Sequence, residues 1–266
     1  MSEKTKQEAL RKLDNIVCEI AYPDQWNSTE GLKISKDNSL YENYAQLQEY
    51  NWTQEIKRKL NQPVDRHHWE DNPQLTNAVN TRFSNSIYIF SGILQPPFFD
   101  PDADEAINYG AIGTVIAHEL THGFDPIGCQ FDSIGNVRNW WTAKDKRAYD
   151  RRTKVLRKYF GKLKCGKEKV NGYQTLEENV ADNGGLNIAF EAMQRAGIHD
   201  TINGQTAEQR FFLGYARLFA NVVRAKYLWY LINYDTHAPS ETRINGALPH
   251  IDAWYDAFDI SPADSL

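Results

Sequence analysis

One run constrains this chain more than any other: Ala111-Ile-Gly-Thr-Val-Ile-Ala-His118-Glu119-Leu-Thr-His122-Gly-Phe-Asp125. It reads as a helix, with Gly110 just before it and Gly123 near its end. His118 and His122 are four residues apart, so they share one face, about 6 Å apart along the axis. Their ring nitrogens can converge on one ion at about 2.1 Å each, which is zinc geometry. Glu119 is turned about 100° around the helix. It can flank the ion without ligating it and take a proton from water bound there.

An HExxH pattern arises by chance at a rate on the order of one per cent, so the third ligand decides. One class of zinc peptidase continues HExxHxxGxxH. Asp125 and Gly128 stand where that pattern needs glycine and histidine, so this route is closed. The alternative is a carboxylate on a later helix, and the best candidate is Leu176-Glu177-Glu178-Asn179-Val180-Ala181-Asp182. Glu178 and Asp182 are again four apart. One can bind the ion while the other holds a ligand histidine by its second ring N–H. An acidic first turn favoured by the helix dipole would explain Glu177 and Glu178 but not Asp182.

At 266 residues the chain suffices for one large domain or two small ones. A formal charge of −5 and a pI near 5.8 argue against nucleic-acid binding. The basic stretch Lys144–Lys169 reads as a solvated face. No apolar run approaches the roughly 18 residues of a membrane span, and the polar N-terminus is no signal peptide. Cys18, Cys129 and Cys165 fit no metal spacing; one disulfide plus a thiol, or three thiols, are both open. Two sequons, at Asn27 and Asn51, are near chance in a chain this rich in Asn.

Taken in order, residues 4–20 predict an amphipathic helix with Ala9, Leu10, Leu13, Ile16, Val17 and Ile20 on one face. Residues 39–60 predict a second, ended by Pro63. Both read as scaffold. Leu75–Asn80 and Ile87–Phe90 predict short strands, the first able to accept an extended peptide at a sheet edge. Gly92-Ile-Leu-Gln-Pro-Pro-Phe-Phe reads as a rigid apolar loop, either core or pocket wall. A turn at 131–136 precedes Trp140-Trp141, which read as core. Thr142 is the predicted N-cap of a helix to Phe160. Further helices are predicted over 176–196, over 207–233 (largely buried) and over 252–258, with a loop from His237 to Arg243. Without βαβ alternation the class is α+β, predominantly helical.

Together these motifs resemble the neprilysin and endothelin-converting-enzyme family of zinc peptidases. Residues 77–260 follow that family's order: Val79-Asn80, GILQPPFF at 92–99, NYG at 108–110, HELTHGFD at 118–125, WWT at 140–142, ENVADNGG at 178–185 and HAP…R at 237–243. The resemblance implies a zincin-like, thermolysin-like catalytic domain over 77–266, with a small edge sheet and an HExxH helix, preceded by a helical lead-in over 1–76. It implies one zinc ion on His118, His122 and Glu178, with Glu119 as general base. Asp182 would orient His118, and His237 would stabilise the oxyanion. Arg243 would hold a substrate carbonyl, and Asn80 with Thr81 would grip the peptide from the edge strand. Ile93, Phe98, Val115, Leu218 and Phe219 match the positions that wall an apolar pocket. The implied activity is hydrolysis of oligopeptides on the amino side of large hydrophobic residues, in a family that is typically extracellular.

Some positions depart from the family pattern. Thr81-Arg82-Phe83 replaces the usual alanine and two aromatics, which puts a charge near the peptide-binding edge. Glu177 replaces the glycine of TLGEN, and Pro126 follows Asp125 where many members carry a second aspartate. No cysteine follows Cys165, so the C-terminal disulfides of animal members have no counterpart. The family's large helical cap domain is also unmatched, and the expectation is that it is supplied elsewhere. The rival readings are a catalytically impaired peptide- or zinc-binding domain, motivated by Arg82 and the unmatched cap, and a structural helical domain with incidental histidines.

Overall fold

The computed structural model describes residues 1–261. Helix α1 spans Glu3–Asp14. Strand β1, Val17–Ala21, follows it directly. The helix predicted to residue 20 therefore stops six residues early. Its last apolar residues pair instead with a strand from further along the chain, and that pairing satisfies backbone groups a helix end would leave open.

The predicted amphipathic face of α1 is also inverted. Leu10 and Leu13 are exposed, while Lys12 is 2% exposed. Lys12 Nζ donates to the carbonyls of Gly128 at 2.7 Å and Phe131 at 2.8 Å, and lies 5.6 Å from the Phe124 ring centroid. At the other end of α1, Thr5 Oγ1 and the backbone N–H of Ser2 donate to the Asp145 carboxylate. The first fourteen residues are thus clamped onto the segment that follows the zinc-motif helix.

Helix α2, Leu40–Lys59, carries the predicted N-terminus: Ser39 and Glu42 form a reciprocal capping box. Its apolar residues, expected to pack as scaffold, are not buried; Leu40, Tyr44, Trp52 and Leu60 all lie exposed. The two predicted strands are β2, Ala78–Thr81, and β3, Ser86–Phe90. With β1 they form one sheet in the order β1-β3-β2. β1 runs parallel to β3, with Val17 opposite Ser86, and β2 runs antiparallel to it, with Thr81 opposite Ser86. β3 is buried along its whole length, and β2 is left as an edge.

The zinc-motif helix is assembled from short pieces. Helix α3, Glu105–Asn108, is capped by Asp104. A π-helical turn, Tyr109–Gly113, leads into α4, Thr114–His122. Extra-wide turns of this kind recur at functional sites. Thr142 caps α5, Ala143–Phe160, as expected. A hairpin of β4, Lys164–Cys165, and β5, Glu168–Lys169, then precedes α6, Leu176–Arg195. Strands β6, Thr201–Ile202, and β7, Gln205–Thr206, form a hairpin turned by Asn203 and Gly204, both at positive φ.

The long helix predicted over 207–233 is two helices, α7, Ala207–Leu218, and α8, Ala225–Tyr234. Between them lies Phe219-Ala-Asn-Val-Val-Arg224, where Asn221 Nδ2 bonds Ser240 Oγ at 2.8 Å. Asn and paired valines are weak helix formers, so a side-chain bond outside the helix wins. Only α7 is well buried; Tyr227, Trp229, Tyr230 and Tyr234 of α8 are exposed. The segment predicted as a loop after His237 becomes α9, Ser240–Ala247, from Ser240 onward. Arg243 thereby sits on a helix. The last element among the described residues is α10, Asp252–Ala257.

The main core joins α4, α6, α7 and α9 through Ala117, Leu186, Met193, Phe211, Phe212, Tyr215 and Ala247. A second cluster under the sheet unites Ala78, Ile89, Ile93 and Ile112, with Phe98 and Val115 against it. The apolar loop is therefore core and wall at once. The architecture is a predominantly helical α+β fold. Among the described residues, no helix is long and apolar enough to cross a membrane, and the three cysteines are free.

Candidate metal centre and active site

α4 and α6 lie against each other, bringing His118, His122 and Glu178 together. One ligand-type atom from each falls within 4.8 Å of the others. The two histidine Nε2 atoms are 2.9 Å apart. Glu178 Oε2 lies 3.3 Å from His118 Nε2 and 3.4 Å from His122 Nε2. Both rings turn their Nδ1 to a carboxylate: His118 to Asp182 Oδ1 at 2.8 Å, His122 to Asp125 Oδ2 at 2.7 Å. A proton on Nδ1 leaves Nε2 as a lone pair. The centre thus aims two imidazole lone pairs and a carboxylate at one point. Glu178 Oε2 is buried and makes no hydrogen bond of acceptable geometry. Such an arrangement is unfavourable without a cation and fits a zinc ion, whose ligand types are these.

The electrostatics agree. Burial works against charge on His122, but Asp125 and Glu178 outweigh it and push its pKa up to about 10. Burial likewise opposes the charged His118, and Asp182 and Glu178 raise it nonetheless. Burial would raise Glu178, yet the three surrounding imidazoles hold it far below the usual carboxylate range. The centre is a concentrated negative site that protons occupy when no metal does.

Glu119 sits beside this point on α4, buried, and its pKa is raised chiefly by burial. Its carbonyl accepts a bond from Asn80 Nδ2 at 2.9 Å, which ties α4 to edge strand β2. Asn80 Oδ1 is buried without a partner. His237 Nε2 lies 3.1 Å from Glu178 Oε2, and its Nδ1 lies 2.9 Å from Asp235 Oδ1. Arg243 grips Asp182 with two bonds, Nε to Oδ2 at 2.8 Å and Nη2 to Oδ1 at 2.6 Å. Its guanidinium also stacks over Phe219, 4.6 Å from the ring centroid. Tyr215 Oη donates to the Arg243 carbonyl at 3.0 Å.

Apart from Asp125 and Asp235, these residues border one cleft of about 500 Å³, walled also by Ile93, Phe98, Val115, Leu218 and Phe219. β2 runs along its rim. Thr81 is the exception among the candidate residues. Strand alternation puts Asn80 and Arg82 on the cleft side, whereas Thr81 lines a cavity with Phe83 and Tyr88 on the other. Its side chain is not available to the cleft.

Several contributors carry no role in the sequence motifs. Asp125 is wholly buried; it accepts from His122, from the backbone N–H groups of Ile127 and Gly128, and from Arg82. Its spacing, three after His122, was the available signal. Asp235, two before His237, was equally visible. Arg82 brings its charge to the peptide-binding edge, where it lines the cleft, and its Nη2 also lies 3.1 Å from Asp125 Oδ2 and 3.0 Å from Glu177 Oε2. Only the fold shows that pairing.

Residues 77–266 match the model of peptidase family M13. The chain belongs to that family. It is 35% identical to neprilysin-11 of Caenorhabditis elegans, over 97% of this chain and 32% of that protein. It is 37% identical to the neutral endopeptidase of Lactobacillus helveticus, over 100% of this chain and 40% of that protein. Among solved structures it resembles the Mycobacterium tuberculosis zinc metalloprotease ZMP1 bound to an inhibitor. There the TM-score is 0.92 at 39% identity, over 99% of this chain and 41% of that one. The chain thus spans about a third to two fifths of the length of these M13 relatives.

Proposed function

We propose that this M13 chain is a zinc-dependent metalloendopeptidase unit that hydrolyses oligopeptides on the amino side of hydrophobic residues. The observation that carries the reading is the convergence of His118, His122 and Glu178 on one point with Glu119 beside it. His118, His122 and Glu178 would hold the zinc, and Asp182 and Asp125 would hold the two rings.

Zinc bound there supplies a Lewis acid that acidifies water and polarises the scissile carbonyl. Glu119 takes the proton of the attacking water and passes it to the leaving amine. A carboxylate whose pKa is raised by burial is suited to both directions of transfer. His237, steered by Asp235, donates to the oxygen that gains charge as the carbonyl carbon becomes tetrahedral. Asn80 Oδ1, unsatisfied on the rim, accepts a backbone N–H of a peptide laid along β2. Arg243 spends Nε and Nη2 on Asp182, leaving Nη1 for a substrate carbonyl. The apolar wall formed by Ile93, Phe98, Val115, Leu218 and Phe219 receives the side chain after the scissile bond.

The test is cleavage of a fluorogenic peptide carrying a central Phe or Leu, with and without chelator, and product masses to place the cut. Chelator-sensitive cleavage before the hydrophobic residue is expected. Cleavage indifferent to chelator, or a zinc-loaded protein that binds the peptide uncut, overturns the reading. The second outcome would favour a non-catalytic peptide-binding domain.

A further inference from the structure

The two candidate ligand histidines stand in matching surroundings. His118 Nδ1 meets Asp182, and Asp182 is held by Arg243. His122 Nδ1 meets Asp125, and Asp125 is held by Arg82. The first relay lies on residues that match the M13-like motifs. The second ends on a residue at which this chain departs from them. By the resemblance read from the sequence, Arg82 stands where the family pattern carries an aromatic residue, and its other partner, Glu177, where that pattern carries glycine. The two departures touch: Arg82 Nη2 is 3.0 Å from Glu177 Oε2. They also join three elements, since Arg82 follows β2, Asp125 follows α4 and Glu177 opens α6.

We infer that Arg82 is a positioning residue of the metal centre, completing a second histidine–aspartate–arginine relay with Glu177 as its outer anchor. This rests on the zinc reading above. Asp125 Oδ1 is pinned by the N–H groups of Ile127 and Gly128, and Oδ2 is shared between His122 and Arg82. Without Arg82 the buried carboxylate loses its cation and one of the two contacts that fix Oδ2. Groups that orient a metal-binding imidazole are commonly worth about 10- to 100-fold in metal affinity. One nitrogen makes both Arg82 contacts, and Nε has no partner. A lysine ammonium can therefore replace much of the function, which a bidentate fork would not allow.

The experiment measures zinc affinity by chelator competition, and the visible spectrum of the cobalt-substituted protein, for the wild type, Arg82→Met, Arg82→Lys and Glu177→Gln. Arg82→Met is expected to weaken zinc binding about 10- to 100-fold and to alter the cobalt spectrum. Arg82→Lys is expected to recover most of both. Glu177→Gln should fall between, with little added effect in the Arg82→Met background. Wild-type zinc affinity and cobalt spectrum in Arg82→Met overturn the inference; a change confined to peptide KM would make Arg82 a substrate contact instead. A wild-type protein that takes up no zinc overturns this inference and the metal reading together. Should Arg82→Met fail to fold, Glu177→Gln carries the test, and unchanged zinc affinity in that variant overturns the tie.

Discussion

Gly185 and His118 approach so closely that a Cβ on Gly185 would lie 2.7 Å from the His118 backbone nitrogen and 2.9 Å from its Cα. The missing side chain is what lets α6 lie against α4, and that contact brings Glu178 to the histidines. Gly185→Ala must push backbone against backbone, with a cost of about 1–3 kcal/mol. A lower melting temperature together with weaker zinc uptake is expected. At Gly184 the atoms nearest the added Cβ belong to the Thr121 side chain, with Cγ2 at 2.5 Å. Gly184→Ala should therefore cost less in the same melting experiment.

Glu119→Gln keeps the size of the side chain and removes the base. The ligand atoms belong to other residues, so zinc content should stay at the wild-type level. Turnover should fall by a factor of about 100 to 10,000. Metal analysis and peptide hydrolysis on the same sample check both halves. Turnover near wild type would remove Glu119 from the proposed role.

Zinc binding should strengthen with pH. In the metal-free site His122 holds its proton up to about 10, and His118 is raised as well. Zinc must displace those protons, so apparent affinity gains about tenfold per pH unit for each proton released. The sign for stability is the reverse without metal. A raised histidine pKa stabilises the metal-free fold fully below the unfolded value near 6.5, and that contribution is lost as pH rises toward about 10. The zinc-induced shift in melting temperature should thus grow from pH 6 to pH 8. A shift independent of pH would contradict the coupling.

Lys12 offers a second titration. Burial lowers its pKa from 10.5 to about 8. Between those values the unfolded chain holds a proton that the folded chain has released, so this residue's contribution to stability rises with pH. Comparing chemical denaturation of the wild type and Lys12→Met at pH 7 and pH 9.5, the difference should move toward the wild type by about 2 kcal/mol. An unchanged difference would mean that the amine keeps its ordinary pKa.

What a reader of residues could obtain depended on whether the signal was local. The i, i+4 pairs His118/His122 and Glu178/Asp182 lie within one helical turn each, so their shared faces follow from helix geometry. The caps at Ser39 and Thr142 are equally local and stand as expected. Apolar periodicity misled where a distant partner decided the outcome. Val17–Ala21 left the helix to pair with β3, and Lys12, not Leu13, turned inward to bond the carbonyls of Gly128 and Phe131. The helix predicted over 207–233 broke where Asn221 found Ser240.

The sequence by itself therefore determined that His118 and His122, and separately Glu178 and Asp182, share helix faces, because i, i+4 spacing needs no knowledge of the rest of the fold. Tertiary structure alone decided that Glu178 meets His118 and His122, since residues about sixty positions apart converge only when α4 and α6 pack. It also decided that Arg82, on the cleft edge, pairs with Asp125 and Glu177. The physical reason is the same in both cases. Electrostatic and packing energies depend on distances in space, and those come from contacts between elements that no local pattern encodes.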